Sequence, residues 1–250
     1  MFESAYLKVD RATHHIRDLQ ATVARYAKKA GIDFYPDGSF VTITVDRRAE
    51  PECSAILGDA IHNLRSALEH AFWELIGIDG GTQDKYTTFP IHRGNRVDYE
   101  AHCKGVKTPR QDTKDFLICV QAYPDGVGAS LVDLHDLDIL DKHAMLNPVF
   151  GLVALRDCVI VRPNGVREDW AAIGGDYART LIHEDGQTVV RPFGEGRFEL
   201  NQNTQASLDI LFGDTETSVE LEPVIPVLDK FVSEIRNVLV GMERLVAKRD

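Results

Sequence analysis

The sequence predicts an α+β fold in which a helical bundle carries a β-rich insertion. Amphipathic segments of helical period lie near both ends of the chain and in its middle, whereas short β-branched segments separated by turns fill residues 150–222. Isolated helices gain most of their stability from packing, so the amphipathic segments need one another's apolar faces. We therefore predict a bundle domain of residues 1–149 with 223–250, and a β-rich insertion of residues 150–222 built as a small sandwich or barrel.

Four segments have the apolar spacing of one-faced helices: residues 2–30, 52–77, 130–146 and 225–247. Gly31 ends the first segment, Pro51 precedes the second at a position that favours a helix start, and Pro148 stops the third. The first and last segments have apolar stripes of similar length. We therefore expect them to pack together, with Leu19 and Leu239 in one core.

The extended segments are short and flanked by turn residues. FYPDGSFVTITV predicts a hairpin around a Pro-Asp-Gly-Ser turn. Further along, strands are predicted in GLVALRDCVIVRP, ARTLIHEDGQTVVRPF, GRFELN and TSVELEP. Asp185-Gly186 is one of the turn pairs that separate them.

The charge balance restricts the classes of partner. The formal net charge is -11 and the pI is near 5.3, which argues against a broad basic surface for duplex nucleic acid. One local basic cluster, HCKGVKTPRQDTK, remains. Its Lys104, Lys107 and Arg110 are candidates for contacting RNA phosphates, and a solvated loop is the alternative interpretation.

The composition also indicates where the protein is expected to act. The four cysteines have no CxxC or other metal spacing, which favours reduced thiols in the cytoplasm. No apolar run approaches the ~20 residues that span a bilayer, and the N-terminus lacks a secretory signal pattern. We expect no membrane partner. No glycine-rich loop precedes a helix as a phosphate-binding loop would, and we expect no cofactor.

The central helix has two different faces. In ILGDAIHNLRSALEHAFWELI, six apolar residues from Leu57 to Leu75 fall within roughly 80° of arc. The opposite side gathers a set of functional groups with Arg65 at its edge: Asp59, His62, Asn63, Ser66, Glu69 and His70. Trp73 falls on the same arc, and a tryptophan there suggests that this face is covered at its C-terminal end.

The helix predicted at 130–146 offers partners for this face. By the same angular count, Asp138 and Asp141 project with its leucines into the bundle, where an unpaired carboxylate is costly. At least one of them should lie within hydrogen-bond or ion-pair reach of Arg65, His62 or His70. Lys142, His135 and His143 flank these groups as further counter-groups, and the predicted apolar stripe continues to Ala144 and Met145.

Two resemblances to known families rest on these segments. The combination GDAIHNLRSALEH, TTFPI and LDILDKH resembles a widespread family of uncharacterised bacterial and phage-associated proteins, over about residues 1–150. That resemblance implies no established activity. This chain departs from the family pattern in having Glu69 where Asp is usual and Ala144 where Arg often follows DKH.

The second resemblance is to the HEPN superfamily. Arg65 and His70 in RSALEH form its R-x4-H pattern, with Ser66 where Asn or Asp usually follows the arginine. The resemblance implies a defence-associated, metal-independent ribonuclease, often a homodimer, with Arg65 and His70 as catalytic residues. A histidine can transfer the proton of the RNA 2′-hydroxyl, and an arginine can stabilise the phosphoryl charge.

Two other interpretations of the polar face stay open. The first is a non-enzymatic interaction or structural protein in which a buried polar network fixes the packing of two helices. The second is a metal-dependent hydrolase, because Asp59 and His62 have the i, i+3 spacing that helical bundles use for metal ligands. No second motif of that kind is present in the sequence, and no metal is assigned.

Overall fold

The computed structural model describes residues 1–249 except for 47, 175–177, 183–187 and 193. The helices are α1 (Glu3–Ala27), α2 (Ala49–Ile78), α3 (Arg96–Lys104), α4 (Gln111–Val120), α5 (Ala129–His143) and α6 (Val224–Ala247). The strands are β1 (Gly31–Phe34), β2 (Val41–Thr44), β3 (Pro148–Val161), β4 (Arg167–Gly174), β5 (Ala178–Ile182), β6 (Thr188–Pro192) and β7 (Arg197–Phe212). The predicted α+β class is confirmed. In the described part of the chain, no helix is both long and apolar enough to cross a membrane.

The helices share one hydrophobic core. Apolar side chains of α1, α2, α5 and α6 form a single buried cluster, to which α4 adds Leu117. Leu19 of α1 and Leu239 of α6 are both completely buried in it, as the matched apolar stripes predicted. Helix α2 is the centre of the bundle, because it contacts α1, α5 and α6.

The strands form two antiparallel sheets, with strand orders β1-β2-β6-β5 and β4-β3-β7. Residues from both sheets pack into a second core, which makes the β region a sandwich rather than a closed barrel. The buried members of this core are Val41, Ile43, Leu152, Leu155, Cys158, Ile160, Val190 and Phe198.

The hairpin β1–β2 belongs to the β region, although the sequence-based division placed it in the bundle domain. Strand β2 pairs with β6, with Val41 opposite Val190. The hairpin turn also contacts β7, because the backbone N–H of Phe198 donates to the Gly38 carbonyl at 2.7 Å. Gly38 has a φ of 73°, and a Cβ there would lie 2.0 Å from the Phe198 carbonyl oxygen, so the turn requires glycine.

Some predicted elements differ from the structure. TSVELEP is a series of turns with one isolated bridge between Leu211 and Pro223, and Leu221 has a φ of 61°, which an extended strand does not allow. Helix α5 ends at His143, so Met145 leaves the apolar stripe and is 62% exposed. The turn predicted at Asp185-Gly186 lies outside the described residues.

The C-terminal end of α6 is fixed by a buried ionic network. Arg249 donates to Asp79 (2.7 Å), which caps α2, to Asp112 (3.0 Å) and to the Thr113 hydroxyl (2.7 Å). The second carboxylate oxygen of Asp79 accepts from Thr108 at 2.7 Å, and its side chain is fully buried. One arginine therefore joins α2, α4 and α6.

Replacing Arg249 with Ala should destabilise the protein by about 3–5 kcal/mol, because the Asp79 carboxylate would remain buried without its cation. Urea denaturation followed by circular dichroism measures the loss. Lys248→Ala, at the exposed neighbouring position, is the matched control and should change stability by less than about 0.5 kcal/mol. Equal stability of the two variants would contradict the role given to Arg249.

Candidate functional site

The polar face of α2 lies between α1 and α5. On one side Lys8 of α1 donates to the Asn63 side-chain oxygen at 3.3 Å, and on the other side Asp138 of α5 contacts His62. The opposite stripe of α2 is completely buried in the core. The two-faced pattern of the sequence thus places its functional groups along a seam that both neighbouring helices border.

His62 connects a buried carboxylate to a hydroxyl. Its Nδ1 lies 3.1 Å from Asp138 Oδ1, and its Nε2 lies 3.4 Å from Ser66 Oγ, one turn further along α2. Asp138 is only 3% exposed, whereas the His62 side chain is 53% exposed. Lys142 donates to the other oxygen of Asp138 at 2.5 Å. The predicted contact between an α5 aspartate and the central helix is confirmed for the pair Asp138 and His62.

The carboxylate determines which nitrogen of His62 carries the proton. A carboxylate only accepts hydrogen bonds, so Nδ1 is the protonated nitrogen and Nε2 presents its lone pair toward Ser66. The resulting order of carboxylate, imidazole and hydroxyl is the order used by Ser-His-Asp hydrolases. A histidine held in this way can accept a proton from a hydroxyl at Nε2 while Asp138 stabilises the resulting imidazolium.

Asp141 takes a different position from Asp138. It is half-buried, and burial raises the pKa of its carboxyl, with a further increase from the neighbouring Asp138 and Asp59. A Cβ at Gly58 would lie 2.5 Å from both Asp141 carboxylate oxygens, so the glycine lets the carboxylate of α5 rest directly on the backbone of α2. Asp59 is exposed at the same end of the seam.

Arg65 is buried in a second polar cluster between α2 and α5. Its residue is 7% exposed, Nη1 lies 2.5 Å from Glu69 Oε1, and Nε donates to His135 Nδ1 at 3.3 Å. The Nη1 contact is an ion pair without a well-aligned hydrogen bond. Glu69 also accepts from the backbone N–H of Phe89 at 2.8 Å, while burial raises its pKa. On α5 the partner of Arg65 is thus His135 rather than either aspartate.

The predicted catalytic pair is placed in two different surroundings. Arg65 faces the interface with α5, whereas His70 is exposed and lines an open cavity of about 640 Å³ with Trp73. Five residues turn a helix by about 500°, which leaves the two side chains roughly 140° apart. The expectation that this end of the face is covered is wrong: Trp73 is 44% exposed, because the side chains opposite it border the cavity instead of filling it.

The remaining predicted site residues do not join this centre. The three basic residues proposed to contact RNA each lie beside a carboxylate: Lys104 by Glu100 (3.6 Å), Lys107 by Asp84 (2.7 Å) and Arg110 by Asp112 (3.0 Å). Hydrogen bonding from Arg110 holds the pKa of Asp112 well below its usual range. His143 is exposed at the end of α5.

Comparisons with protein-family models, curated proteins and solved structures give no match to this chain.

The described part of the structure does not bring a set of metal ligands together. Within the described ranges, no three His, Cys, Asp or Glu side chains come together as metal ligands would.

His135 is the site residue whose contact the sequence-based prediction did not include. Its signal was the spacing His135-x-x-Asp138, which puts both side chains on the face of α5 that meets α2.

Replacing Arg65 with Ala should lower the free energy of unfolding by about 3 kcal/mol, because Glu69 would keep a largely buried charge without its counter-ion. Arg93→Ala is the matched control, since Arg93 pairs with Asp136 of α5 at 2.6 Å but is 60% exposed. It should cost less than about 1 kcal/mol. A folded Arg65→Ala protein of normal stability would argue against this structural role.

His135 should make stability depend on pH. Burial lowers its pKa, and the Arg65 guanidinium lowers it further, so the folded protein holds it neutral as an acceptor. As the pH falls from about 7.5 to 5.5, the unfolded chain takes up the proton first and stability is lost. His135→Gln keeps an acceptor but does not titrate, so its stability should fall less over this range. Equal slopes in chemical denaturation at several pH values would contradict the assignment.

Proposed function

We propose that the protein is a hydrolase in which Ser66 is the nucleophile, His62 the general base and Asp138 the residue that orients the imidazole. The observation that carries the proposal is the continuous contact from buried Asp138 through His62 Nδ1 and Nε2 to Ser66 Oγ, at 3.1 and 3.4 Å. A catalytic hydrogen bond is often longer in a free enzyme than in its substrate complex. The reaction class is acyl transfer to water.

The reaction proceeds in two balanced halves. Ser66 Oγ attacks the substrate carbonyl carbon while its proton passes to His62 Nε2, and the same proton then goes to the leaving oxygen or nitrogen as the acyl bond breaks. A water molecule next gives a proton to Nε2 and attacks the acyl-serine. Collapse of that intermediate returns the proton to Ser66 and releases the acid. Asp138 stays ionised and stabilises the imidazolium that forms within each half.

Side chains must stabilise the oxyanion of this reaction. The backbone N–H groups within α2 beyond its first turn are used by the helix itself, so they are not free to form an oxyanion hole. We assign this role to Lys8, whose ammonium contacts the Asn63 side chain at 3.3 Å, and to the second amide N–H of Asn63, since the first donates to the Asp59 carbonyl at 2.8 Å. Lys142 instead supports the buried carboxylate of Asp138.

The charges around the site favour a substrate with an uncharged acyl group rather than a nucleic acid. The seam includes the carboxylates of Asp59, Asp138 and Asp141, and the net charge of the chain is -11. The three residues expected to bind RNA phosphates, Lys104, Lys107 and Arg110, each lie in an ion pair with a carboxylate. A polyanion needs a surplus of positive charge, which these groups do not supply.

Hydrolysis of p-nitrophenyl acetate in the presence of EDTA tests the proposal. His62→Ala should lower kcat/KM by about 10²–10⁴, the usual contribution of a general base. Ser66→Ala should remove covalent labelling by a fluorophosphonate probe, and mass spectrometry of the wild type should find the label on Ser66.

Two matched variants separate the site from nonspecific ester cleavage. Ser233→Ala and His14→Ala change exposed helical residues outside the seam and should retain full activity. Labelling at any other residue, or hydrolysis that survives both His62→Ala and Ser66→Ala, would remove the proposal.

Metal-independent RNA cleavage is the second candidate, and the exposure of His62 favours it. An imidazole fixed by a carboxylate can also remove the proton of a substrate 2′-hydroxyl, without a protein nucleophile. In this case single-stranded RNA should be cut in EDTA, with activity lost in His62→Ala but kept in Ser66→Ala. Activity lost in His70→Ala would instead support the HEPN-like pair of Arg65 and His70. The homodimer that this resemblance implies stays a prediction.

A non-enzymatic role is the third candidate, and the burial of Arg65 favours it. The contacts of Arg65 with Glu69 and His135 stabilise the interface of α2 and α5 without any need for catalysis. Absence of both ester and RNA cleavage in folded protein would leave this architectural role as the function of the polar face.

A further inference from the structure

A cavity of about 640 Å³ lies beyond Ser66 on the same side of α2, within the size range of small-molecule sites. Its lining residues include Trp73, His70, Glu69 and Glu74 of α2. Ser4 of α1 and Gln83 also line it. The side-chain amide of Gln83 donates to the Trp73 carbonyl at 2.5 Å, which fixes this edge beside the helix.

The lining favours a positively charged group. Trp73 is 44% exposed, so its ring is available to a ligand. Glu74 accepts a hydrogen bond from the backbone N–H of Phe2 at 3.0 Å, and among the described residues its carboxylate forms no ion pair with a side chain. Glu69 is paired with Arg65, but the guanidinium lies on the α5 side, and neither Lys nor Arg is among the described lining residues. An aromatic face beside carboxylates is the arrangement that attracts organic cations.

We propose that this cavity binds the organic cation of a substrate, an ammonium group that sits against Trp73 and faces Glu74. A cation in this position gains from the ring quadrupole and from the Glu74 carboxylate together. A neutral group of the same shape gains only the apolar contact.

The position of the cavity extends the proposed function to a substrate class, and this step rests on that function. Ser66 and Trp73 are seven residues apart, so their Cα atoms are separated by about 10 Å along the helix axis. An acyl group at Ser66 and a cation at Trp73 can thus belong to one small molecule. The substrate class is an ester or amide whose cationic group lies about eight bonds beyond the scissile bond.

Tryptophan fluorescence can measure binding without catalysis. The chain contains two tryptophans, so Trp170→Phe leaves Trp73 as the only reporter, and Ser66→Ala prevents turnover. Choline chloride, with sodium chloride matched for ionic strength, should change the emission saturably. The neutral carbon isostere dimethylbutanol should bind with an affinity lower by about tenfold or more. Calorimetric titration of the wild type repeats the measurement without either substitution.

Variants locate the binding site. Trp73→Ala should abolish choline binding in calorimetry, and Glu74→Gln, which keeps an acceptor for the Phe2 N–H, should weaken it about tenfold. Tyr86→Ala removes an exposed aromatic side chain outside this cavity and should bind choline normally.

The outcomes test the cation site and the proposed hydrolase activity separately. Saturable choline binding without ester hydrolysis would support the cavity assignment and remove the proposed function alone. Equal affinity for choline and the neutral isostere, or no saturable binding, would overturn the cation site. Binding of adenosine in place of choline would also overturn it, and would indicate a base-stacking pocket of the kind that RNA cleavage requires.

Discussion

The enclosure of α2 is the constraint on which the rest of the structure depends. Because α1, α5 and α6 all contact this helix, polar side chains on its buried surfaces must find partners within the protein. Helix α5 provides these partners at two levels, with His135 beside Arg65 and Asp138 beside His62. The same contacts fix the rotation and the height of α5 against α2. The need to pair buried polar groups thus positions α5, although aspartates interrupt its apolar stripe.

This requirement also explains why a reactive geometry arises at one point along the seam. Asp138 is almost completely buried and needs a donor at each oxygen, which His62 and Lys142 provide. Both donors reach it from the exposed side, so His62 has one nitrogen on the buried carboxylate and the other toward Ser66. Arg65 has the opposite character, since its donors turn inward. Adjacent positions of one helix thereby differ in exposure, with Arg65 buried and His62 half-exposed.

The sequence predicted the features that depend on local periodicity. Helical spacing gave the bundle, the shared core of Leu19 and Leu239, and the projection of Asp138 toward the central helix. Contacts between residues that are distant in the sequence leave no local pattern. The residues of β2 do not indicate that it pairs with β6, and Arg249 does not indicate that it forms an ion pair with Asp79. The ion pairs of the basic cluster could not be predicted, because charge in a sequence does not reveal which carboxylates lie nearby. The exposure of Trp73 was not predicted, because the position of a residue on its helix does not reveal whether another segment of the protein covers it.

The pairing of Val41 with Val190 has a consequence for synthesis of the protein. A ribosome adds about 5–20 residues per second, so the first hairpin waits on the order of ten seconds for strand β6 to emerge. During that interval the outer edge of β2 has unpaired N–H and C=O groups, which is the type of edge that other chains can extend. The helices on either side of the hairpin, α1 and α2, are complete by then and can associate early. Their association would hold the open edge close to the nascent bundle, so the order in which segments leave the ribosome becomes part of how this fold avoids aggregation.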